Sequence, residues 1–198
     1  MIRTLGTEFV HFYLLEQDGG VTLTDAGLSG YRDTLDVHRA DSERTRQGKT
    51  KRTDGSPPAM LTMLGHAHSR RALRHMIANG AAKQTKVPEV IAFDHGDELE
   101  LPGRLRAIHT PGHTEGHCIL HAPVEDALFV GDAVNNIHIV TGAPGAQVAP
   151  RAANTSTDQA YESLSRIEEA EARTLYFGHG DPSTQGTRAI VAEARAKR

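Results

Sequence analysis

The chain has 198 residues, of which 38% are hydrophobic and 24% are charged, and its formal net charge is −3. This length and composition predict one globular domain over residues 1–198, and the absence of a clustered basic face argues against a nucleic-acid partner. No apolar run is long enough to predict a signal peptide or a membrane span, so no membrane partner is expected. A single cysteine, Cys118, excludes an internal disulfide and suits a cytoplasmic location.

The N-terminal segment is predicted to form a β-hairpin. Residues 9–15 (FVHFYLL) favour a strand because they are rich in aromatic and branched side chains. Asp18-Gly19-Gly20 favours a turn, and residues 21–24 favour a second strand. The hairpin ends at Asp25, and a polar residue at a strand end is a common position for a functional side chain.

The central part of the chain is predicted to be helical and exposed. Residues 33–56 are charged and nearly without apolar side chains, which favours a solvated helix and loop. A helix is expected after Ser56-Pro57-Pro58, with apolar residues at helical spacing from Met60 to Ile77 and an end at Gly80.

The remainder is predicted to consist mainly of strands. Short apolar or alternating runs bounded by Gly, Pro or Asp predict strands at residues 90–93, 98–101, 105–109, 117–121, 127–130 and 175–177. Residues 134–150, rich in Gly, Ala and Pro, are expected to form a loop. The capping-box pattern Ser156-Thr157-Asp158-Gln159 predicts the start of a helix, and a short charged helix is expected to close the chain.

Three strand ends carry polar residues of the metal-ligand type. His113 lies in the run HTPGHTEGH, Asp132 follows the strand in LFVGD, and His179 follows the strand in YFGHG. In each case a glycine precedes the polar residue and permits a tight turn at the edge of a sheet. Two imidazoles and one carboxylate suit zinc with an open coordination position or a non-haem iron ion.

These three runs, together with VTLTDAGLSGY near the start, closely resemble the metallo-β-lactamase superfamily. The resemblance implies an α/β fold, an αββα sandwich with metals at one edge of its two sheets. It further implies that His113 is the third histidine of the first metal site, Asp132 the bridging carboxylate and His179 the histidine of the second site. Asp25 resembles the family's aspartate that steadies the metal-binding loop through hydrogen bonds.

The chain departs from the family pattern in one respect. The signature H-x-H-x-D-H, expected soon after the DAG turn, does not occur in the sequence. The pattern is that of an internal deletion near Leu35 and Asp36, which would leave the N-terminal half of the sandwich incomplete. The run HAHSRR, starting at His66, begins like the signature but has two arginines in place of Asp and His, so we interpret it as an accidental likeness.

The resemblance and the departure together predict a metal-dependent hydrolase of the ester, thioester or lactone type, acting on a small molecule, with an incomplete centre and reduced or lost activity. One zinc ion is the expected cofactor, and iron is the alternative. Two other hypotheses remain open. The chain could be a non-catalytic scaffold that forms a homodimer, because a missing strand leaves unpaired sheet edges. It could also be a mononuclear non-haem iron oxidoreductase.

Overall fold

The structure is a computed structural model that describes residues 1–25, 64–80 and 91–198. Within these ranges the chain forms nine strands, three α-helices and a 3₁₀ turn. The strands are β1 Ile2–Gly6, β2 His11–Gln17, β3 Gly20–Thr24, β4 Arg106–His109, β5 Cys118–Ala122, β6 Ala127–Gly131, β7 Asn135–Ile137, β8 Pro144–Gln147 and β9 Thr174–Phe177. The helices are α1 Ala67–Ala78, α2 Thr157–Glu169 and α3 Thr187–Ala196, and the 3₁₀ turn is Arg151–Ala153.

The strands form two main sheets and a short hairpin. The N-terminal sheet is an antiparallel meander in the order β1-β2-β3. The second sheet has the order β4-β5-β6-β9, and β9 runs parallel to β6 while the other pairs are antiparallel. Strands β7 and β8 pair only with each other among the described residues.

Strand β6 is buried on both faces, which explains why it reads as a continuous apolar run. Leu128 and Val130 belong to a large core cluster under α2 and α3, whereas Ala127 and Phe129 belong to a smaller cluster shared with Tyr13 of the N-terminal sheet. Successive side chains of a strand point to opposite faces, so one strand contributes to both cores. The result is three layers: helices α2 and α3, the β4-β5-β6-β9 sheet, here called the central sheet, and the N-terminal sheet.

Several predicted elements are confirmed. The N-terminal hairpin, the strands at β4, β5, β6 and β9 and the closing helix all form close to the expected positions. Helix α2 begins where the capping pattern placed it, and the Ser156 side chain accepts a hydrogen bond from the Gln159 backbone N–H. Among the described residues no helix is both long and apolar enough to cross a bilayer.

Other predictions need correction. The expected loop at 134–150 contains the β7–β8 hairpin, in which main-chain pairing outweighs the low strand propensity of Gly, Ala and Pro. The strands expected at 91–93 and 98–101 do not form among the described residues, where Ile91 and Glu98 are single bridge residues. The segment turns back on the edge of β4, and Gly96, Asp97 and Leu99 form main-chain hydrogen bonds with Ala107 and Leu105.

Helix α1 begins at Ala67 after its N-cap His66, so the helix expected from Met60 to Ile77 does not pass through Leu64 and Gly65, which form a turn. The charged segment, the Ser56-Pro57-Pro58 helix entry and the Leu35–Asp36 junction fall in residues 26–63, outside the described residues.

Candidate metal centre

The fold brings His113, Asp132 and His179 together at one edge of the central sheet. His113 Nε2 lies 3.5 Å from Asp132 Oδ2, and His179 Nε2 lies 3.3 Å from Asp132 Oδ1. The two imidazoles therefore face opposite oxygens of one carboxylate. All three side chains remain partly open to solvent, with 24%, 31% and 25% of the His113, Asp132 and His179 side chains exposed.

The His113 loop is held by the start of α2. The backbone N–H and the hydroxyl of Thr155 both donate to His113 O, at 3.0 and 2.9 Å, and the Ser156 N–H donates to Gly112 O at 2.9 Å. Gly112 lies so close to the helix that a Cβ there would be 2.2 Å from the Ala160 nitrogen. The turn before His113 thus requires glycine for lack of space.

The ring of His113 is oriented from behind by Asn154. His113 Nδ1 lies 3.4 Å from Asn154 Oδ1, and the Asn154 side chain is fully buried. This contact turns the other ring nitrogen, Nε2, toward Asp132.

The His179 loop is held by the N-terminal sheet. His179 Nδ1 donates to Phe9 O, which directs Nε2 toward Asp132. The His11 backbone N–H donates to Gly178 O at 2.9 Å and its ring Nδ1 donates to Gly180 O at 3.0 Å. The buried Tyr13 hydroxyl donates to Phe177 O at 2.6 Å, so β2 holds the end of β9 and the turn after it.

Asp132 is positioned to carry negative charge between the histidines. Burial of its carboxyl group opposes ionisation, but the charges of His179, His113 and His117 lower the pKa of Asp132 below its ordinary value. Its Oδ1 atom is buried and accepts no hydrogen bond within the described part of the chain. A Cβ on Gly178 would lie only 2.7 Å from this oxygen, so the glycine makes room for the carboxylate.

His117 and Asp25 lie close to Gly131, in the turn that carries Asp132. His117 Nδ1 is 2.9 Å from Thr110 Oγ1, and its ring centroid is 6.1 Å from that of His113. Burial, followed by the charge of His113, lowers the pKa of His117 to about 4, so its ring is neutral at pH 7. The Asp25 carboxylate reaches to 3.6 Å from the Cβ position of Gly131, next to Asp132, but its expected bonding to the metal loop stays a prediction.

The donor chemistry of the three residues fits a cation. Phe9 O and Asn154 Oδ1 can only accept, so Nδ1 of each histidine donates to them and Nε2 of each ring faces an oxygen of Asp132. Lone pairs facing each other are unfavourable unless a proton or a metal ion lies between them. Nitrogen and oxygen ligands about 2.0–2.2 Å from one zinc ion lie about 3.3–3.6 Å apart in a tetrahedron, which matches the two His–Asp distances.

The two His–Asp contacts differ from an arrangement in which three ligands surround a single ion. In residues 1–25, 64–80 and 91–198, no group of three or more His, Cys, Asp or Glu side chains is arranged so that it could hold one ion. The described residues instead present two His–Asp pairs that share Asp132. The expectation that His113, Asp132 and His179 hold one zinc or iron ion therefore stays a prediction.

The HAHSRR run makes no described contact with the centre, and two residues near the centre were not revealed by the sequence. His66 stands at the N-cap of α1 and the His68 ring packs against Phe9, so none of the contacts described for the HAHSRR run joins it to Asp132. His11 and Asn154 were not predicted to contribute to the site. His11 is part of an ordinary strand pattern, and Asn154 could have been suspected only from its place just before the Ser156 cap.

Comparisons with known proteins identify a family for the chain. The family model described as Metallo-beta-lactamase superfamily matches residues 48–179. Two curated hydroxyacylglutathione hydrolases are similar: one from Hyphomonas neptunium is 30% identical over 136 residues, covering 67% of this chain and 49% of its own length, and one from Rhizobium meliloti is 28% identical over 176 residues, covering 81% and 61%. The chain thus spans about half to three fifths of the length of these two relatives.

Solved structures share the fold at low sequence identity. A metallo-beta-lactamase family protein from Thermus thermophilus has a TM-score of 0.56 and 20% identity, covering 96% of this chain and 78% of that chain. An archaeal superfamily protein from Sulfolobus tokodaii has a TM-score of 0.58 and 18% identity, covering 96% and 84%. A third protein, solved in a di-iron-bound form, has a TM-score of 0.55 and 19% identity, covering 97% and 96%. Because the family model matches residues 48–179, more than half of the chain, the chain belongs to the metallo-β-lactamase superfamily.

Proposed function

We propose that the chain is a metal-dependent hydrolase of thioesters with reduced turnover, and that His113, Asp132 and His179 form its metal centre. The observation that carries the proposal is the placement of the two Nε2 atoms on opposite oxygens of Asp132, at 3.5 and 3.3 Å. A carboxylate approached in this way by two imidazoles can bridge two cations or share one.

The substrate class is inferred from the curated relatives. Both are named hydroxyacylglutathione hydrolases, which act on a thioester by name, and this chain covers 49% and 61% of their lengths. An activated thioester is also the substrate that an impaired centre hydrolyses most readily, because its thiolate leaves more easily than an alkoxide. Ester and lactone substrates are the next class to test.

The residues of the chain would act mainly by holding the metal ion and by orienting its ligands. A bound zinc or iron ion would supply Lewis-acid activation of water and of the acyl carbonyl. His113 and His179 direct Nε2 toward the centre because their Nδ1 atoms donate to Asn154 Oδ1 and Phe9 O. Asp132, whose lowered pKa keeps it ionised at neutral pH, supplies the negative charge that retains a cation.

Reduced turnover follows from the sequence. The family signature H-x-H-x-D-H would add two ligands to the first metal and an Asp and a His to the second, and it is absent from this chain. Fewer ligands give weaker metal retention, and without the signature Asp a water nucleophile is less well oriented. We therefore expect measurable metal binding but slow hydrolysis.

The proposal is tested by metal content and by thioester hydrolysis on the same preparations. Wild-type protein, His113→Ala and Asp132→Asn are purified without added metal and then reconstituted separately with zinc and with ferrous iron. We expect about one ion or more per wild-type chain, little in either variant, and cleavage of a hydroxyacyl thioester of glutathione only by the loaded wild type.

His109→Gln is the matched control, because His109 ends β4 just before the His113 loop but its Nε2 bonds to Glu115 O. This variant should keep the metal and the activity. Equal metal content in wild type, His113→Ala and Asp132→Asn would overturn the proposed centre. Metal bound at these residues with no hydrolysis of thioester, ester or lactone would overturn the hydrolase and favour the scaffold hypothesis.

The iron oxidoreductase and the homodimeric scaffold can each be distinguished from the hydrolase. A mononuclear iron oxidoreductase needs two histidines and a carboxylate on one ion, and the hydrolase is favoured over it because the curated relatives are named hydrolases. The homodimer stays a prediction that light scattering at micromolar concentration tests, since a monomer would contradict it.

A further inference from the structure

We infer that His11 and Asn136 are a pair of positioning residues that clamp the His179 loop, residues 177–181, from two sides and so hold the His179 ring beside Asp132. His11 is the first residue of β2 and Asn136 is the middle residue of β7, so the two residues belong to different sheets. Both are outside the set of three residues proposed to hold the metal.

His11 holds the loop from the N-terminal sheet with two hydrogen bonds. Its backbone N–H donates to Gly178 O at 2.9 Å, and its ring Nδ1 donates to Gly180 O at 3.0 Å, because a main-chain oxygen can only accept. The two carbonyl groups belong to the residues on either side of His179. The His11 side chain is buried, so water competes little for the ring bond.

Asn136 holds the loop in the same way from the β7–β8 hairpin. Its backbone N–H donates to His179 O at 2.9 Å, and its side-chain Nδ2 donates to Asp181 O at 2.8 Å. The four successive carbonyl groups of residues 178–181 are thus held alternately by His11 and Asn136. Each of these two residues uses its backbone N–H for one carbonyl and its side chain for the carbonyl two positions further on.

The clamp determines where the His179 ring lies relative to Asp132. The Gly178 N–H donates to Gly131 O at 3.0 Å, directly before Asp132, and His179 Nε2 lies 3.3 Å from Asp132 Oδ1. On the other side of His179, Gly180 has a φ of +88°, and glycine adopts many other conformations as readily. The bond from the His11 ring to Gly180 O therefore selects one conformation of a residue that is otherwise free to adopt several.

The side-chain half of the clamp can be removed without the main-chain half. The backbone N–H groups of His11 and Asn136 remain in every variant, so His11→Ala and Asn136→Ala each remove one bond and leave the other three. His11→Asn places an amide nitrogen near the position of the ring Nδ1, so this variant should keep the bond to Gly180 O and restore what His11→Ala loses.

The first measurement is amide hydrogen exchange by NMR on metal-free protein. In His11→Ala, the amide proton of Asn136 on the opposite side of the loop should exchange about 3- to 10-fold faster than in wild type, because loss of one hydrogen bond makes opening of the loop more frequent. In Asn136→Ala, the amide proton of His11 should respond in the same way. An effect that crosses the loop distinguishes a clamp from a local loss of packing.

Two matched controls remove a hydrogen bond from the same sheets at another place. Thr22→Val removes the 2.7 Å bond from β3 to Pro102 O, and Gln147→Ala removes the 2.9 Å bond from the β8 side chain to Gly145 O. In both controls, and in His11→Asn, the exchange rates of the His11 and Asn136 amides should stay within about twofold of wild type.

The second measurement is zinc titration of the same preparations. The double variant with both alanines should bind zinc about 10- to 100-fold more weakly than wild type, and each single variant should lie between the two, because a looser loop presents His179 less accurately to the ion. This measurement rests on the proposed function, whereas hydrogen exchange does not. A wild type that binds no zinc would therefore remove the proposed function, and the exchange rates would still decide whether the clamp exists.

Three results would overturn the inference. One is an unchanged exchange rate of the Asn136 amide in His11→Ala. Another is equal acceleration in His11→Ala and Thr22→Val, which would mean that any loosening of the N-terminal sheet has the same effect. The third is an unaltered zinc affinity of the double variant when the wild type binds zinc. If His11→Ala does not fold, Asn136→Ala provides the reciprocal measurement on the His11 amide, since Asn136 is only partly buried.

Discussion

The two histidine loops that meet at Asp132 are supported by different parts of the molecule. The strands and helices after residue 105 are here called the C-terminal body. The His113 loop is fixed from within this body, by Thr155, Ser156 and the start of α2. The His179 loop is fixed from outside that body, by Phe9, His11 and Tyr13 of the N-terminal sheet, and its bond to Phe9 O joins residues 170 positions apart. One half of the centre can form as the C-terminal body folds, and the other half depends on docking of the hairpin.

This difference in support reflects the different sizes of the two buried apolar clusters. Among the described residues, the large cluster between the central sheet and helices α2 and α3 contains 17 buried residues, whereas the cluster that joins the two sheets contains six. Burial of apolar side chains is the main stabilising contribution, so we expect the C-terminal body to be the more stable of these two described parts. The hairpin adds fewer apolar contacts and relies more on hydrogen bonds to the end of β9.

The strongest disruption of the His113 half should come from Gly112→Ala. Its Cβ would lie 2.2 Å from the nitrogen and 2.4 Å from the Cα of Ala160, and φ at Gly112 is +140°. We expect the free energy of unfolding to fall by about 3 kcal/mol or more, because both overpacking and backbone strain contribute, with loss of metal binding. Urea unfolding of metal-free protein measures the change.

Gly96→Ala is the matched control for that substitution. Gly96 also has a positive φ, +94°, but an added Cβ would meet nothing within 4 Å. The backbone strain alone should cost about 1–2 kcal/mol and leave metal binding intact. An equal loss of unfolding free energy in Gly112→Ala and Gly96→Ala would contradict the close contact between Gly112 and Ala160 of α2.

Docking of the hairpin is tested by Tyr13→Phe, with a smaller expected effect. The substitution removes the 2.6 Å bond to Phe177 O and leaves that buried carbonyl without its donor. We expect a loss of about 1–3 kcal/mol, and faster hydrogen exchange in β1–β3 than in β4–β6. Exchange measured by NMR would contradict the comparison if both sheets became equally labile.

Tyr176→Phe provides the reference for this change. Tyr176 stacks on Phe129 with a centroid distance of 5.2 Å in the same small cluster, and no hydrogen bond of its hydroxyl is found among the described residues. Removal of the Tyr176 hydroxyl should change the free energy of unfolding by about a few tenths of a kcal/mol at most, as is usual where no buried contact is lost.

The features that the sequence predicted are those with a local cause. The turn at Asp18-Gly19-Gly20, the Ser156 cap and the continuous apolar run of β6 each depend on neighbouring residues, and each is found in the structure. His113, Asp132 and His179 could be named because each follows a strand and a glycine. Their convergence came from the family resemblance, since spacing along the chain does not determine which strand ends meet.

The features that the sequence did not predict have causes elsewhere in the chain. Asn154 acts because Ala149 O and His113 Nδ1 lie on its two sides, and no local pattern reports that arrangement. His11 sits in a strand whose pattern would be the same without its bonds to Gly178 and Gly180. The β7–β8 hairpin forms in a segment of low strand propensity because main-chain pairing with a partner outweighs that propensity.

The smallest expected effect is a pH dependence confined to the C-terminal body. His121 on β5 lies opposite Arg106 on β4, and burial, followed by the charge of Arg106, lowers the pKa of His121 below its ordinary value of 6.5. The folded protein therefore binds this proton more weakly than the unfolded chain, so stability is fully present above pH 6.5 and falls as the pH drops below it. Arg106→Gln should make this fall shallower by about 0.2–1 kcal/mol, the usual size of a like-charge pair across strands. Urea unfolding of metal-free protein between about pH 5 and pH 8 measures the slope, and His121→Gln should remove its contribution altogether. If hydrogen exchange in β1–β3 followed the same pH dependence as in β4 and β5, the two parts of the molecule would be one cooperative unit rather than a stable body with a docked hairpin.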